Sequence, residues 1–447
     1  MNKNIVILGG GISGLSLLYF LKKKYAGRGD VRFILLEKNA HPGGNISTIS
    51  EHGALFERGP NGFLNNQPAM LDLINELGLS SELISANPTA KKRFVLVNND
   101  LHPFPSGLLG LFNFKPFSLF DKLRIFAEPF IKKGHAPDET VHQFFRRRFG
   151  LGAAKYFADP MVSGIYAGSS EFLNVQSAFP KIYEYEQNAG SVIRGIMGSK
   201  GSVVINARMH SFRGGMGQLI KALCEAGGDS IHVNEPVLEI IRADRFYLVV
   251  TGRDKYTADE LYVTAPAFIA GQLLGSVNDE LGKALTAIEY APIAVVGLLF
   301  DKAAFVQALE GFVYLIPSSE NKKVLGVLFE SNIFEGRAGP SQIMLRVMIG
   351  GVRNPECIQM TQEQLVELAL SELSDRFGLI QVPLARFVAV YPHAIPQYET
   401  QYPALKNRII SALSSSKRLH LLSNYLNGVS TNDCVKNALL ISAQSDL

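Results

Sequence analysis

Residues 4–24, NIVILGGGISGLSLLYFLKKK, decide the fold of this 447-residue chain. The apolar, β-branched run at residues 4–8 predicts a buried parallel strand, and LSLLYFLKKK has the apolar spacing of a helix. Between them, Gly9, Gly11 and Gly14 stand in G-x-G-x-x-G spacing. Strand, glycine turn and helix form the context that a dinucleotide-binding fingerprint requires.

Each glycine of this turn has a physical task in that interpretation. Gly9 permits the tight turn, Gly11 lets the backbone approach a pyrophosphate, and Gly14 lets helix and strand pack closely. The helix N-terminus offers unpaired N–H groups to the anion. The cofactor contacts predicted in this turn are Gly9, Gly10, Gly11, Ile12, Ser13 and Gly14.

A second strand-like run, VRFILLEKN, ends in the acid Glu37. A carboxylate there accepts hydrogen bonds from a ribose diol and repels a 2′-phosphate; the alternative is an ordinary surface acid. Gly43 and Gly44 then form a second close-approach turn, which an extended FAD needs more clearly than NAD does, unless it is a plain turn after a proline. The contacts predicted here are Glu37, Lys38, Gly44 and Asn45.

Composition excludes several classes of protein. The three cysteines lie far apart without C-x-x-C spacing, and the nine histidines show no ligand spacing, so we predict neither a disulfide framework nor a metal site. A net charge of +4 without a basic block gives no support for nucleic-acid binding. No apolar stretch reaches the roughly 20 residues of a spanning helix, and the N-terminus leads directly into a strand, which predicts no cleaved signal.

Residues 105 to about 200 are expected to be helical and rich in aromatic side chains. Within them, SGLLGLFNFKPFSLFDKLRIFAEPFIKKG combines Leu and Phe with basic residues. One interpretation is the core of a helical subdomain. The other is an amphipathic face that meets a membrane, with anionic headgroups contacted by basic side chains. Those side chains are Lys115, Lys122, Arg124, Lys132 and Lys133.

After residue 200 the pattern returns to strands and helices. GGMGQLIKALCEAGG predicts a helix, and residues 269 to about 387 predict further strands and one helix, as in a separate sheet domain. The tail RLHLLSNYLNGVSTNDCVKNALLISAQ predicts a strand, a glycine loop and a helix. Both ends of the chain thus predict one nucleotide domain, with other domains inserted between them.

Motifs along nearly the whole chain resemble the flavin amine oxidase superfamily and, within it, the protoporphyrinogen oxidases. VILGGGISGLS and LLEKNAHPGG are shared by many FAD enzymes. The more specific motifs are FERGPNGF, DPMVSGIYAG and AFPKIYEYEQNAGSVIRG; further matching motifs are RFVLVNNDLHPFPSG, FFRRRFG, GGMGQLI, GFVYLIPS, IPQY and NYLNGVSTNDCVKNA.

The resemblance implies an α/β fold: a Rossmann-like FAD-binding domain of the amine-oxidase type, an inserted mixed-sheet substrate domain and a helical membrane-binding domain. The predicted division is 1–70, 205–268 and 388–447 for the FAD-binding domain, 71–94 and 269–387 for the substrate domain, and 95–204 for the helical domain.

The resemblance also implies the chemistry. A porphyrinogen is oxidised to the porphyrin in three two-electron steps, with FAD as hydride acceptor and oxygen as final acceptor, giving hydrogen peroxide. The implied location is cytoplasmic, peripheral on an anionic surface of the cytoplasmic membrane. A homodimer and hand-over of the product to a chelatase are further expectations. Because a flavin carries the hard chemistry, no catalytic side chain is predicted.

By the same resemblance, Arg93 binds a substrate propionate, as suits a guanidinium fork. Gly164 lies close to the macrocycle, and Leu315, Leu328 and Met348 flank it; Met348 stands where some members have Phe. Tyr391 takes the place of an aromatic that flanks the flavin, and Asn45 replaces a common Arg. The remaining cofactor contacts that the resemblance implies are Gly59, Pro60, Asn61, Gly62, Val237, Gly428, Val429, Ser430 and Thr431.

Other functions stay open at this point. A coproporphyrinogen oxidase of the same fold shares VLVNNDLHPFP and FFRRRFG, although Arg93 favours the protoporphyrinogen branch. A nicotinamide-dependent dehydrogenase, a non-catalytic flavoprotein and another flavin amine oxidase are the further alternatives.

Overall fold

The computed structural model describes residues 3–105, 107–134, 136–198 and 207–445. Its strands are β1 (Lys3–Leu8), β2 (Val31–Leu36), β3 (Thr48–Glu51), β4 (Ala54–Glu57), β5 (Phe63–Leu64), β6 (Leu83–Ser85), β7 (Arg93–Val97), β8 (Asp100–Pro103), β9 (Met209–Phe212), β10 (Ile231–His232), β11 (Val237–Arg242), β12 (Tyr247–Thr251), β13 (Lys255–Ala258), β14 (Glu260–Val263), β15 (Tyr290–Asp301), β16 (Val313–Leu315), β17 (Val324–Leu328), β18 (Gln342–Gly350), β19 (Ala385–Pro396) and β20 (Leu419–Leu421).

Its helices are α1 (Ile12–Lys24), α2 (Pro68–Glu76), α3 (Gly107–Asn113), α4 (Leu119–Phe126), α5 (Val141–Phe149), α6 (Leu151–Ala153), α7 (Asp159–Tyr166), α8 (Val175–Ala178), α9 (Pro180–Ala189), α10 (Val192–Gly198), α11 (Gly217–Gly227), α12 (Ala267–Leu274), α13 (Asp279–Thr286), α14 (Glu330–Ile333), α15 (Gln362–Phe377), α16 (Tyr402–Ser414) and α17 (Thr431–Gln444). A π-helical segment, Ala154–Ala158, joins α6 to α7.

Strands from both ends of the chain form one parallel sheet in the order β10-β2-β1-β14-β20. The middle strand, β1, has four consecutive buried residues at its carboxyl end, as expected of a strand covered on both faces. Helices α1, α11 and α17 pack on one face in a shared apolar core. The sheet thus joins strands from both ends of the chain, as the prediction of one nucleotide domain requires.

A second, mixed sheet has seven strands in the order β19-β15-β18-β17-β16-β7-β8. Helix α15 covers one face with apolar residues such as Leu365, Ala369 and Leu373, which join Tyr314 and Val347 in a buried core. Strands β7 and β8 form a hairpin, and Asn98 and Asn99 at its turn have φ of 51° and 67°, the left-handed region that a two-residue hairpin turn requires.

Helices α3 to α10 make up the helical, aromatic-rich region predicted from residue 105 to about 200. A buried ion cluster explains two of the family motifs: Arg148 contacts the carboxylates of Glu128 and Glu186, and all three side chains are fully buried. Glu128 also accepts hydrogen bonds from Ser191 Oγ and the N–H of Val192. FFRRRFG and the GSVIRG end of the longer motif thus hold this region together.

The division into domains stays a prediction, and several of its boundaries fall inside packing units. Strand β8 extends the second sheet to Pro103, beyond the predicted limit at 94, and β19 runs across the limit at 387. Helices α12 and α13 pack with residues of β1, not on the second sheet. The limit at 204 lies outside the described residues. Among those residues, no helix is long and apolar enough to cross a membrane.

Candidate cofactor and substrate site

Two glycines of the turn after β1, Gly9 and Gly14, leave no room for side chains. Gly9 has φ of +110°, and a Cβ on Gly14 would lie 2.0 Å from the carbonyl oxygen of Gly9. Thr264, directly after β14, donates from its hydroxyl to the carbonyls of Leu8 and Gly9, at 2.9 Å each. The close packing of turn, helix and neighbouring strand is the one that the fingerprint predicts.

The N-terminus of α1 is open where an anion would bind. Its N-cap residue, Gly11, provides no side-chain cap, and the first turn holds no acidic residue. A Cβ on Gly11 would meet no atom within 4 Å, so space lies in front of the unpaired N–H groups. This open helix end fits a pyrophosphate, because backbone donors and the helix dipole both favour negative charge there.

Glu37 lies at the end of β2 beside this turn and is buried. Its Oε2 accepts from the N–H of Gly10 at 2.7 Å, and its Oε1 accepts from the N–H of Asn39 at 2.8 Å. An ionised carboxylate has about four acceptor positions, so capacity for a ribose diol remains. The next residue, Lys38, is exposed.

The second glycine pair runs alongside the first. The N–H of Gly43 donates to the carbonyl of Gly10 at 2.7 Å, and a Cβ on Gly44 would lie 3.4 Å from Cα of Gly11. Asn45 follows, and its carbonyl oxygen would be 1.8 Å from a Cβ on Gly59. The structure therefore brings the turns at 9–14, 43–45 and 59–62 together into one backbone cradle, which we call the cofactor cradle.

Residues 59–62 also touch the second sheet through Arg346. This guanidinium donates from Nη2 to the carbonyl of Gly59 at 2.5 Å and lies 3.5 Å from Glu330 Oε1. Glu330 is buried and accepts from Asn61 Nδ2 at 3.2 Å. Glu57 is another buried acid close to this loop in the sequence. Burial raises the pKa of its carboxyl group, although the positive charge of Arg337 acts to lower it.

The C-terminal loop differs from the glycine turn. Ser430 and Asp433 form a complete capping box at the start of α17, and Gly428 has φ of +111° with Asp433 Oδ2 2.4 Å from where its Cβ would be. Tyr398, whose pKa burial raises well above its usual value, accepts from the N–H of Gly428 at 3.1 Å. The cofactor roles of Val237, Gly428, Val429, Ser430 and Thr431 stay predictions.

The predicted substrate residues share the face of the second sheet that α15 leaves free. Met348 pairs with Gly326, Gly326 pairs with Leu315, and Leu328 lies two residues further along the same strand face. Opposite them, a Cβ on Gly164 of α7 would lie 3.0 Å from Leu315 Cδ2. Gly164, Leu315, Leu328 and Met348 are all partly exposed, and we call the space beside them the substrate slot.

Arg93 stands at one end of this face. It lies beside Val313 in the register, and its guanidinium carbon stacks 4.9 Å from the ring centroid of Phe312. The side chain is exposed, and the described residues place no carboxylate within ion-pair distance of it. An accessible cation without an acidic partner suits a ligand carboxylate.

Tyr391 connects the slot with the cradle. It pairs with Ile293 on the same sheet face and packs in one cluster with Met348, while its hydroxyl donates to the carbonyl of Arg58 at 3.2 Å. Burial raises its pKa, which Arg58 and Arg346 oppose. Cradle and slot are therefore adjacent, as a hydride transfer between cofactor and substrate demands.

The sequence contained no indication of Glu330 and Arg346, and for Thr264 it indicated only that the TAPA turn lies near a cofactor. A signal existed for Thr264, since TAPA follows a strand that ends beside the glycine turn. Nothing in the sequence indicated that Glu330 and Arg346 would meet the loop at 59–61, because they are more than 260 residues away. In the described part of the chain, His, Cys, Asp and Glu form no group that could hold a metal.

Comparisons with known proteins agree with this geometry. The sequence profile of the family described as "Flavin containing amine oxidoreductase" matches residues 12–443. Human protoporphyrinogen oxidase is 31% identical over 476 residues, which cover 98% of this chain and 97% of the human protein. The chloroplastic protoporphyrinogen oxidase 1 of Spinacia oleracea is 31% identical over 472 residues, covering 98% of this chain and 83% of the spinach protein.

Solved structures show the same fold. A crystal structure of a protein from Exiguobacterium sp. 255-15 has a TM-score of 0.85 at 24% identity, covering 99% of this chain and 98% of that one. Cyclohexylamine oxidase from Brevibacterium oxydans has a TM-score of 0.70 at 14% identity, covering 99% of each chain. Together with the cradle, these matches show that the chain is an FAD-dependent oxidoreductase that belongs to the flavin-containing amine oxidoreductases and, within them, to the protoporphyrinogen oxidase family.

Proposed function

We propose that this enzyme oxidises protoporphyrinogen IX to protoporphyrin IX in haem biosynthesis, with oxygen as acceptor and hydrogen peroxide as product. The observation that carries the proposal is the substrate slot. A glycine on α7, apolar side chains on three strands and one accessible cation lie together beside the cofactor cradle. The protoporphyrinogen oxidases to which the chain is similar support the substrate.

In this proposal the protein binds and orients, and bound FAD supplies a hydride acceptor. The cradle residues at 9–14, 37, 43–45 and 59–62 would hold the dinucleotide. Leu315, Leu328 and Met348 would pack against the flexible macrocycle, and Gly164 would offer backbone beside Leu315. Arg93 would hold a propionate at the slot's end and so fix which carbon faces the cofactor.

The test is anaerobic mixing of the purified holoenzyme with protoporphyrinogen IX, followed by flavin absorbance, and aerobic turnover followed by porphyrin fluorescence and peroxide. We expect flavin bleaching within the first turnover and three peroxides for each porphyrin. Coproporphyrinogen III is the matched comparison substrate, because it differs only in having two propionates where protoporphyrinogen IX has vinyl groups. Faster turnover of coproporphyrinogen, or no bleaching by either, would contradict the proposal.

We also propose that the helical region docks on an anionic membrane surface. Apolar side chains stand out from it into solvent, with Phe120 exposed by 78% and Phe130 by 83%. Lys115, Lys132 and Lys133 are exposed in the same stretch. Large apolar groups beside basic ones are typical of an interfacial surface.

Co-sedimentation with vesicles tests the membrane proposal. We expect binding to vesicles rich in phosphatidylglycerol, weaker binding to pure phosphatidylcholine, and loss of binding in the double variant Phe120→Glu/Phe130→Glu. Ile380→Glu, at an apolar position outside the helical region that is exposed by 65%, is the control. Equal binding of all three proteins, or none by the wild type, would contradict the proposal. A homodimer and hand-over to a chelatase stay predictions.

A further inference from the structure

Helix α7 forms one wall of the substrate slot, and its carboxyl end is tied to the second sheet. The carbonyl of Ala167 accepts from the N–H of Val352 at 2.8 Å. The carbonyl of Tyr166 accepts from Gln397 Nε2 at 2.9 Å. Gly351, with φ of +68°, brings the loop after β18 so close that a Cβ there would lie 2.5 Å from the carbonyl of Ala167.

The amino end of α7 is tied to the same sheet by two charged side chains. Asp159 Oδ2 accepts from Arg353 Nη2 at 3.0 Å and from the N–H of Ser318 at 2.7 Å. Arg353 Nη1 donates to the carbonyl of Ile316 at 2.8 Å. Ile316 directly follows Leu315, so one carboxylate and one guanidinium join the helix that carries Gly164 to the strand that carries Leu315.

This pair, which we call the Asp159–Arg353 strap, is nearly buried, with 8% and 10% of the side chains exposed. Removing two charges from water costs most of the free energy that their attraction returns. A buried ion pair therefore adds little to the free energy of folding, and its main effect is to define the geometry of the groups that it joins. The π-helical segment just before Asp159 changes the direction of the side chains that follow it, and such segments often occur at functional sites.

We propose that Asp159 and Arg353 are positioning residues that hold Gly164 of α7 against Leu315 and so fix the position of this wall of the substrate slot. The inference rests on the proposed function, because the slot is the tetrapyrrole site. The two residues are already in close contact, because one added Cβ on Gly164 would lie 3.0 Å from Leu315 Cδ2. A shift of α7 by a fraction of an ångström therefore changes the contacts that this wall makes with a bound macrocycle.

The experiment compares Asp159→Asn with Glu372→Gln in FAD-loaded enzyme. Glu372 is a matched control, because it is a buried acid that accepts from Lys322 Nζ at 2.5 Å and from the hydroxyl of Tyr314, the neighbour of Leu315, on the opposite face of the sheet. For Asp159→Asn we expect KM for protoporphyrinogen to rise about tenfold, with kcat within about threefold of the wild type and normal FAD content. Glu372→Gln should leave KM unchanged.

Two more variants separate positioning from folding. Asp159→Glu keeps the charge and lengthens the strap by one methylene, so we expect it to fold and to raise KM about threefold. The double variant Asp159→Asn/Arg353→Gln should have the KM of the worse single variant, because both changes break one interaction.

Specific results would overturn the strap. One is an unchanged KM in both Asp159→Asn and Asp159→Glu. Another is a KM that rises in proportion to the loss of thermal stability in Asp159→Asn and in Glu372→Gln alike. The third is that the KM effects of the two single variants multiply in the double variant. Failure of the proposed function is distinguishable, since the wild type itself would then neither bleach with nor oxidise protoporphyrinogen.

Discussion

The cofactor cradle and the substrate slot are neighbours, yet they are built by different means. The cradle is made of backbone that approaches backbone, at places such as Gly14 and Gly59 where a Cβ would lie 2.0 Å or less from a carbonyl oxygen. The slot is made of side chains from separate strands and a helix, held by long-range contacts such as the Asp159–Arg353 strap. Short motifs therefore encode the cradle, whereas only the assembled fold forms the slot.

Two helix N-termini show the same contrast on a smaller scale. Helix α1 begins without any side-chain cap, whereas Ser430 and Asp433 complete the cap of α17. Both follow a strand of the parallel sheet and a glycine-containing loop. Free donors at α1 attract an anion, while a carboxylate already occupies the first turn of α17. A strand, loop and helix in sequence do not by themselves make an anion site.

The largest expected effect tests the backbone cradle. Gly14→Val places a branched side chain where even a Cβ would lie 2.0 Å from the carbonyl of Gly9, so we expect protein without bound flavin. Flavin absorbance per protein measures it. Gly29→Ala is the control, because no atom lies within 4 Å of its added Cβ. A Gly14→Val protein that is still yellow with bound flavin would contradict the conclusion that the cradle depends on close backbone approach.

Glu37→Gln tests a side chain that contacts the glycine turn of the cradle. The change removes the charge that faces the N–H of Gly10, and hydrogen bonds to charged groups contribute about 1.5–3 kcal/mol. We expect FAD affinity to fall about thirtyfold, measured by fluorescence titration of the apoprotein. The exposed Glu51→Gln variant should bind FAD as the wild type does, and equal affinities of both variants would count against a ribose contact.

Arg93→Met tests the slot without touching the cradle. Because the guanidinium is exposed and has no acidic partner among the described residues, we expect KM to rise about tenfold while FAD content stays normal. Lys92→Met removes an adjacent cation that pairs with Glu310, and it should change KM little. Equal increases of KM in the two variants would mean that Arg93 acts only through the general positive charge of the surface.

The smallest effect is expected where slot and cradle meet. Tyr391→Phe removes a single neutral hydrogen bond of 3.2 Å to the carbonyl of Arg58, whose net contribution is about 1 kcal/mol or less. We expect kcat/KM to fall no more than about threefold, with unchanged FAD binding. Steady-state kinetics on both porphyrinogens measures it; a loss of a hundredfold would give this hydroxyl a role that the geometry does not indicate.

Several structural features could be predicted from the chain because only a few residue types suit each position. The glycine turn, the hairpin at Asn98–Asn99 and the helix of residues 362–377, with Thr361 as its N-cap, follow from local rules. The boundaries between the domains could not be predicted equally well from the sequence. Helices α12 and α13 have no local mark that assigns them to the first core, and only packing places them there.

The sequence by itself determined the cradle and the family, because close backbone approach requires glycine at fixed spacing and that spacing is local. The tertiary structure decided the rest. It brought Gly164 to Leu315, Arg346 to Gly59 and Asp159 to Arg353, pairs separated by more than 150 residues in the first and third case and by 287 in the second. No local propensity encodes such pairs, because their partners are chosen by the packing of whole sheets and helices.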